Sequence, residues 1–256
     1  MYRIQEPLDQ LSARGWVDAY VTSTIDAPTV HRLRHGADVF VVQRARYSPE
    51  LAAIYAMCRK WGVKIAYEVD DDLVSLLDVP SLRARVSAAD VQGWKRAMEE
   101  ADWIIASTPV LAERYSRFNA VRLAPNQFPY TPPPLLRAWS APFPRPQPVF
   151  YAGGDWHAPD WSVVAAPLGT AIRGYVAGAP HRRVEVHLMG ATWAVPPDAL
   201  DRRLRYVVSP ARPWGEYMES LRHAEVALMT LEANLCTDAK SDVKFLVAAA
   251  AGVAAE

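Results

Sequence analysis

Three short stretches of the sequence combine polar side chains at spacings that suit ligand binding or proton transfer. The first covers 148–160 and reads PVFYAGGDWHAPD. Gly153 and Gly154 follow three apolar residues, which predicts a turn after a buried strand, where a ligand can approach a backbone without Cβ atoms. His157, just beyond, could donate a hydrogen bond to a phosphate or act as a general base. An ordinary polar surface histidine explains the same position about equally well.

The second stretch holds two lysines near the end of the chain. Lys240 and Lys244 are four residues apart and would share one face of a helix predicted over 240–251. Ser241 or Asp242 could cap that helix. A helix start with unpaired amides and nearby lysines suits a diphosphate group. Composition alone favours the alternative, a basic face exposed to solvent.

The third stretch is acidic. A strand predicted over 63–69 runs directly into Asp70, Asp71 and Asp72. Adjacent carboxylates repel one another, so their clustering predicts a functional role rather than a contribution to stability. They could bind a divalent metal, accept a proton from a sugar hydroxyl or position a polyhydroxyl acceptor. An acidic turn that caps the next helix is an equally good explanation for any one of them.

Strand and helix signals alternate along both halves of the chain and would position these side chains. The alternation predicts parallel strands joined by crossover helices, that is, an α/β fold. The predicted strands are 16–21, 38–43, 63–69, 102–106, 120–123, 149–151, 184–189, 204–208 and 225–229. The predicted helices are 5–14, 28–36, 49–61, 88–100, one starting at Pro109, 160–178, 213–223 and 240–251.

The region between the two halves is rich in proline, with nine prolines from Pro125 to Pro148. Proline lacks the amide donor that helices and sheet ladders need, so this region predicts a linker or surface strap. A loop of this length is uncommon inside one compact domain. We therefore predict an N-terminal domain over 1–124, a linker over 125–147 and a C-terminal domain over 148–256.

Composition narrows the function classes. The 28 basic and 28 acidic residues balance, which argues against a general nucleic-acid binder. The two cysteines, Cys58 and Cys236, match no metal-ligand spacing and predict buried thiols in a reducing compartment. The start of the chain has no apolar signal region, and no apolar run approaches the ~20 residues that span a bilayer. We expect a cytoplasmic protein, and peripheral contact with a membrane surface stays open.

Seven stretches, spread along most of the chain, form a recognisable series. In chain order they are YRIQEPLDQL, DVFVVQR, VKIAYEVDDDL, ADWIIASTPVLAE, PNQFP, VFYAGGDWHAPDW and AEVALMTLEANLCTDAKSDVKFLVAAAAGV. By their order and spacing, more than by any single match, they resemble bacterial glycosyltransferases of the GT-B architecture, in the broad group around family 4.

The resemblance implies two Rossmann-like domains that face each other across a cleft. It implies a nucleotide-diphosphate sugar as donor substrate, a glycan, lipid-linked or protein-linked acceptor, and no bound metal or cofactor. The stereochemical outcome it favours is retention, and the oligomeric state stays open. Carried onto this sequence, it assigns Gly153, Gly154, Lys240, Ser241 and Lys244 to the donor, Asp70 and Asp71 to the acceptor side, and catalytic roles to Asp72 and His157.

The sequence departs from this family in three places. Val247 stands where the family commonly has a glutamate that would hold the donor ribose. The strand and glycine loop that normally precede YRI are missing, and the strand and helix that normally follow Gly252 are missing too. We therefore expect a fragment or a shortened homologue. The alternatives are an inactive nucleotide-sugar-binding remnant and a metal-dependent phosphotransferase that uses the Asp70–Asp72 cluster.

Overall fold

The computed structural model describes residues 3–126, 147–178, 181, 183–190 and 204–255. The chain forms two compact units. The first unit comprises Met1–Gln127 and Asn234–Ser241, and the second comprises Phe128–Ala233 and Asp242–Glu256. The segment Asn234–Ser241 therefore belongs by its contacts to the first unit, whereas the sequence placed it in the C-terminal domain. Most of the proline-rich linker predicted over 125–147 lies outside the described residues.

In the part of the first unit that the structure describes, four parallel strands form a sheet in the order β1-β2-β3-β4. Ala66 of β2 pairs with Val41 on one side and Trp103 on the other. The second strand is buried from Ile65 to its last residue, as expected for an inner strand of a parallel sheet. The strands are β1 (Val39–Gln43), β2 (Lys64–Val69), β3 (Trp103–Ala106) and β4 (Val121–Leu123).

Among the described residues of the second unit, five parallel strands form one sheet, in the order β7-β6-β5-β8-β9. The chain runs outward from β5 through β6 to β7 and then returns to the other side of β5 with β8. The strand order thus reverses between β5 and β8, which creates the topological switch point where open α/β sheets bind ligands. The strands are β5 (Gln147–Ala152), β6 (Val184–Met189), β7 (Leu204–Ser209), β8 (Val226–Ala227) and β9 (Ala254–Ala255).

From β1 onward, helices lie between strands as the alternating pattern predicts, whereas the first two helices both precede β1. The helices are α1 (Gln5–Ala13), α2 (Ala27–His35), α3 (Pro49–Trp61), α4 (Ala88–Glu99), α5 (Pro109–Tyr115), α6 (Ala158–Ala177), α7 (Trp214–Arg222), α8 (Leu235–Asp238) and α9 (Val243–Ala251). Helix α8 is not among the predicted helices, and α9 begins three residues later than predicted.

Local signals explain where several helices begin and end. The Ser48 side chain accepts a hydrogen bond from Leu51 N at the start of α3, and Gly62 ends that helix with φ +75°. Ser87 and Asp90 form a reciprocal capping box at the start of α4. These polar and glycine positions are readable from the sequence, so the predictions for α3 and α4 are confirmed to within one residue.

The strand predicted over 16–21 is wrong. The structure has no strand there, and Trp16 is 68% exposed. Its apolar residues are typical of a strand, but a strand also needs a neighbour that accepts its backbone hydrogen bonds. The sheet of the first unit starts instead at β1.

Each unit has its own apolar core. Cys58 and Cys236 are both buried and free, and both belong to the core of the first unit. The described residues of the second unit form two clusters of buried apolar side chains, and Val247 of α9, which is 4% exposed, lies in one of them. Among the described residues, no helix combines the length and apolar character needed to cross a membrane.

Candidate functional site

The glycine turn after β5 lies at the switch point of the second unit. The Gly153 amide donates to Met189 O at 3.1 Å, which ties the turn to the end of β6. A Cβ on Gly153 would lie only 2.8 Å from the His157 Cβ, whereas a Cβ on Gly154 would meet nothing within 4 Å. Gly153 therefore makes room for His157, and the open approach to the backbone is at Gly154.

His157 is paired with a buried carboxylate one helical turn further along. Its Nδ1 lies 2.7 Å from Asp160 Oδ2, and its side chain is 21% exposed. Asp160 itself is only 5% exposed. Its Oδ1 accepts the amide of Glu232 at 2.7 Å, and its backbone carbonyl accepts the Thr230 hydroxyl at 3.3 Å. Asp160 thus joins the start of α6 to the loop after β8, across the switch point.

The surroundings of Asp160 favour its charged form. Burial alone would raise its pKa, but the hydrogen bonds from His157 and from the Glu232 amide outweigh burial and lower the pKa below its ordinary value. The positive charge of Lys244 acts in the same direction. The side chain is therefore a fixed carboxylate at neutral pH.

Lys244 lies in the first turn of α9. Its Nζ donates to Ala152 O, the last carbonyl of β5, at 3.5 Å. Asp242 occupies the N-cap position, but its side chain makes no capping hydrogen bond, contrary to the capping predicted for it. The start of α9 and one lysine therefore lie next to the carboxyl end of β5, in the same unit as Gly153, Gly154 and His157.

The shared helical face predicted for Lys240 and Lys244 is wrong, because α9 begins at Val243. Lys240 precedes the helix and belongs to the first unit, where its Nζ donates to Asp71 Oδ1 at 2.7 Å. Ser241 also belongs to the first unit and accepts a hydrogen bond from the Asn126 amide. The two residues are held by partners in the first unit, whereas Lys244 belongs to the second unit.

The three aspartates do lie together, at the carboxyl end of β2, but each has a cationic partner. Arg44 reaches both Asp70 Oδ1 at 3.2 Å and Asp71 Oδ2 at 2.8 Å. Glu68, the buried residue just before them, pairs with Arg3 at 2.6 Å. Burial raises the pKa values of Glu68 and Asp70, while the charges of Arg3 and Arg44 oppose that rise.

Asp72 has the most enclosed side chain of the three. Its carboxylate accepts hydrogen bonds from Arg114 at 2.6 Å, from the Tyr115 hydroxyl at 3.0 Å and from Ser75 N at 3.2 Å. Only 1% of the side chain is exposed. Arg114 also donates to Leu235 O, so Asp72 helps to hold α8 within the first unit. This geometry fits an anchoring role and gives no support to the catalytic role predicted from the sequence.

A metal centre has no support in the geometry either. Within the described ranges, no group of three histidine, cysteine, aspartate or glutamate side chains is arranged to hold a metal ion. Four carboxylates, Glu68 and Asp70–Asp72, are faced by four cations, which removes the mutual repulsion used to predict a functional role. Those cations are Arg3, Arg44, Arg114 and Lys240.

Sequence reasoning missed Asp160 as a site residue. The available signal was its spacing, because a carboxylate three residues after His157 can reach the imidazole once both lie at a helix start. It also missed Arg3, Arg44 and Arg114, for which no local signal exists. Arg44 adopts φ +51°, a conformation that L-residues rarely adopt, and no local pattern predicts that its side chain meets Asp70.

No protein-family model and no curated protein matches the chain. Solved structures do resemble it. A trehalose-6-phosphate synthase, OtsA, has a TM-score of 0.52 at 12% identity, and the match covers 88% of this chain and 57% of that chain. The apo structure of OtsA gives a TM-score of 0.50 at 12% identity, with 88% and 58% covered.

This chain therefore spans less than two thirds of the length of the structures it resembles. At such low identity the likeness concerns the fold. The α/β fold with two parallel sheets flanked by helices is that of its GT-B glycosyltransferase neighbours.

Proposed function

We propose that this protein is a glycosyltransferase whose second unit binds a nucleotide-diphosphate sugar. One observation carries the proposal. The β5/β8 switch point brings together the open backbone at Gly154, the His157–Asp160 pair and the start of α9 with Lys244. In sheets of this kind the crevice beyond the carboxyl ends of such strands is the usual ligand site.

These groups suit the departure of a nucleoside diphosphate. Negative charge develops on the diphosphate as its bond to the sugar breaks, and fixed positive charge nearby stabilises that state. The Lys244 ammonium supplies a full charge, and the first amides of α9 supply the positive end of a helix dipole. His157, which lies against Gly153, contributes a further polar contact.

The fold likeness to a trehalose-6-phosphate synthase supports a transferase of this general kind. The acceptor we infer is a hydroxyl group of a glycan, a lipid-linked sugar or a protein. Asp70 and Asp71 are both predicted to contact the acceptor, and both pair with Arg44, so their exposure decides which of them can reach it. Asp71, whose side chain is 33% exposed, is the better of the two candidates for an acceptor contact.

A second candidate function is nucleotide-sugar binding without transfer, and Val247 favours it. Its side chain lies in the core of the second unit and cannot accept hydrogen bonds from a ribose. A binding module would take up the nucleotide sugar and return it unchanged. Release of free nucleoside diphosphate during incubation with UDP-, GDP- and ADP-sugars, with and without glycan acceptors, separates the two functions.

Isothermal titration with UDP, GDP and ADP tests the donor site. We expect one of the three to bind the wild type and Lys244→Ala to weaken that binding at least tenfold, because an ammonium near a diphosphate is removed. Lys60→Ala, a change at an exposed lysine of α3, is the matched control and should bind as the wild type does. Failure of all three nucleotides to bind the wild type would refute the donor site.

A further inference from the structure

Asp160 is placed to determine which nitrogen of His157 carries the proton. Its Oδ2 lies 2.7 Å from Nδ1, and its buried carboxylate can only accept. A neutral imidazole beside such an acceptor keeps its proton on Nδ1, because the hydrogen bond is lost if the proton moves to Nε2. The lone pair of the neutral ring is then on Nε2.

The rest of the ring's surroundings hold it in this orientation. The Tyr151 hydroxyl donates to His157 O at 3.2 Å, which fixes the backbone of His157. Because Gly153 has no Cβ, the Cβ and Cγ of His157 can occupy the space beside it. Asp160 is itself fixed by the Glu232 amide on its second oxygen. The carboxylate therefore cannot rotate away from the ring without losing a buried backbone hydrogen bond.

We propose that Asp160 is a positioning residue that keeps neutral His157 in its Nδ1–H form, so that Nε2 is the atom offered to the ligand. This inference rests on the proposed function and deepens it. Nε2 accepts a hydrogen bond from a sugar hydroxyl when the ring is neutral and donates to a phosphate oxygen when the ring is charged. In both states Asp160 engages Nδ1 and leaves Nε2 for the substrate.

The tautomer can be measured directly in the wild-type protein. Long-range ¹H–¹⁵N correlation spectra at alkaline pH distinguish the protonated from the unprotonated nitrogen of each imidazole, and His157→Gln assigns the signals. We expect neutral His157 to carry its proton on Nδ1. A proton on Nε2 would overturn the inference, and this result does not depend on whether any variant folds.

Two substitutions of Asp160 separate its two contacts. Asp160→Asn keeps an acceptor for the Glu232 amide but can offer an amide donor to Nδ1, so we expect the proton of His157 to move to Nε2 while exchange of the Glu232 amide stays slow. Asp160→Ala removes both contacts, so it should neither hold the His157 proton on Nδ1 nor keep exchange of the Glu232 amide slow. Glu185→Gln, the same change beside His187, is the matched control and should leave His157 unchanged. An Nδ1–H tautomer that persists in Asp160→Asn would overturn the inference.

Kinetics separate failure of this inference from failure of the proposed function. With a nucleotide sugar that turns over, Asp160→Asn should lower kcat about a hundredfold, with a smaller change in KM, as loss of a correctly protonated group does. An unchanged kcat would overturn the positioning role. Suppose that the wild type binds no nucleotide, while its His157 has the Nδ1–H tautomer and loses it in Asp160→Asn. The proposed function then fails, but the control of the His157 tautomer by Asp160 stands.

Discussion

Gly153 and Gly154 are neighbours in the chain, yet only Gly153 is closely surrounded. Gly153→Ala would bring its new Cβ to 2.8 Å from the His157 Cβ, so the ring or the turn must move. We expect a loss of about 1–3 kcal/mol in the free energy of unfolding, typical of overpacking. Gly154→Ala has free space and should change it by less than about 0.5 kcal/mol. Urea unfolding of both variants measures the difference, and equal losses would contradict this account of the turn.

The lowered pKa of Asp160 makes a prediction about acid stability. Its folded pKa lies below the unfolded value of about 3.9, so its stabilising contribution is present above that value and is lost as the pH falls through the folded pKa. The difference in unfolding free energy between wild type and Asp160→Asn should therefore shrink as the pH falls from about 5 toward 3. Urea unfolding at several pH values measures this difference. A difference in unfolding free energy that stays the same at every pH would contradict the pairing of the buried Asp160 carboxylate with His157.

The paired aspartates predict insensitivity to divalent metals. Asp70, Asp71 and Asp72 each face an arginine or lysine, so a metal ion would have to displace those cations. We expect neither EDTA nor added Mg²⁺ to shift the melting temperature. A rise in melting temperature with Mg²⁺ that Asp71→Asn abolishes would restore the phosphotransferase alternative.

At the level of helices and strands, the cap of α4 offers a clean test. The Ser87 hydroxyl accepts a hydrogen bond from the Asp90 amide, and the Asp90 carboxylate accepts one from the Ser87 amide. Ser87→Ala should cost about 1 kcal/mol of stability. Ser12→Ala, an exposed position in α1, is the control and should change little. A Ser87→Ala protein as stable as the wild type would show that the cap contributes nothing.

Arg114 is one of the contacts of the segment Asn234–Ser241 and donates to both Asp72 and Leu235 O. Arg114→Met leaves the Asp72 carboxylate buried without its cation, and losses of about 3–5 kcal/mol follow such changes. Faster hydrogen exchange in 234–241 should accompany that loss. Arg34→Met, an exposed arginine of α2, is the control. Unchanged exchange in Arg114→Met would mean that other contacts hold the segment.

Elements with strong local signals could be predicted, and those set by distant contacts could not. The sequence marks the two ends of α3 with Ser48 and Gly62. It marks the start of α4 with Ser87 and Asp90. At the start of α9, Asp242 occupies the N-cap position but makes no capping hydrogen bond, so this signal does not mark the helix start in the same way. Lys240 looks helical by spacing, but its ion pair with Asp71, far away in the sequence, holds it outside the helix. A local sequence pattern does not predict tertiary contacts between residues so far apart in the chain.

For the molecule as a whole, the sequence predicts two α/β units but not their strand order. Alternating elements imply parallel strands, which both sheets show. The order β7-β6-β5-β8-β9 depends on where β8 returns to the sheet, and only the structure gives it. That order is what makes the glycine turn after β5 a candidate site rather than an ordinary loop. Sequence pattern could therefore identify Gly153, Gly154 and His157 without supplying the reason for their position.

Hydrogen–deuterium exchange with and without saturating nucleoside diphosphate tests donor binding by the second unit. Ligand binding lowers the population of open states, so exchange slows where contacts form. We predict slower exchange in 153–157 and 242–246 with UDP, GDP or ADP, and no slowing in these segments in Lys244→Ala. No slowing with any of the three, or slowing confined to other parts of the chain, would contradict the proposal that the β5/β8 switch point binds the donor.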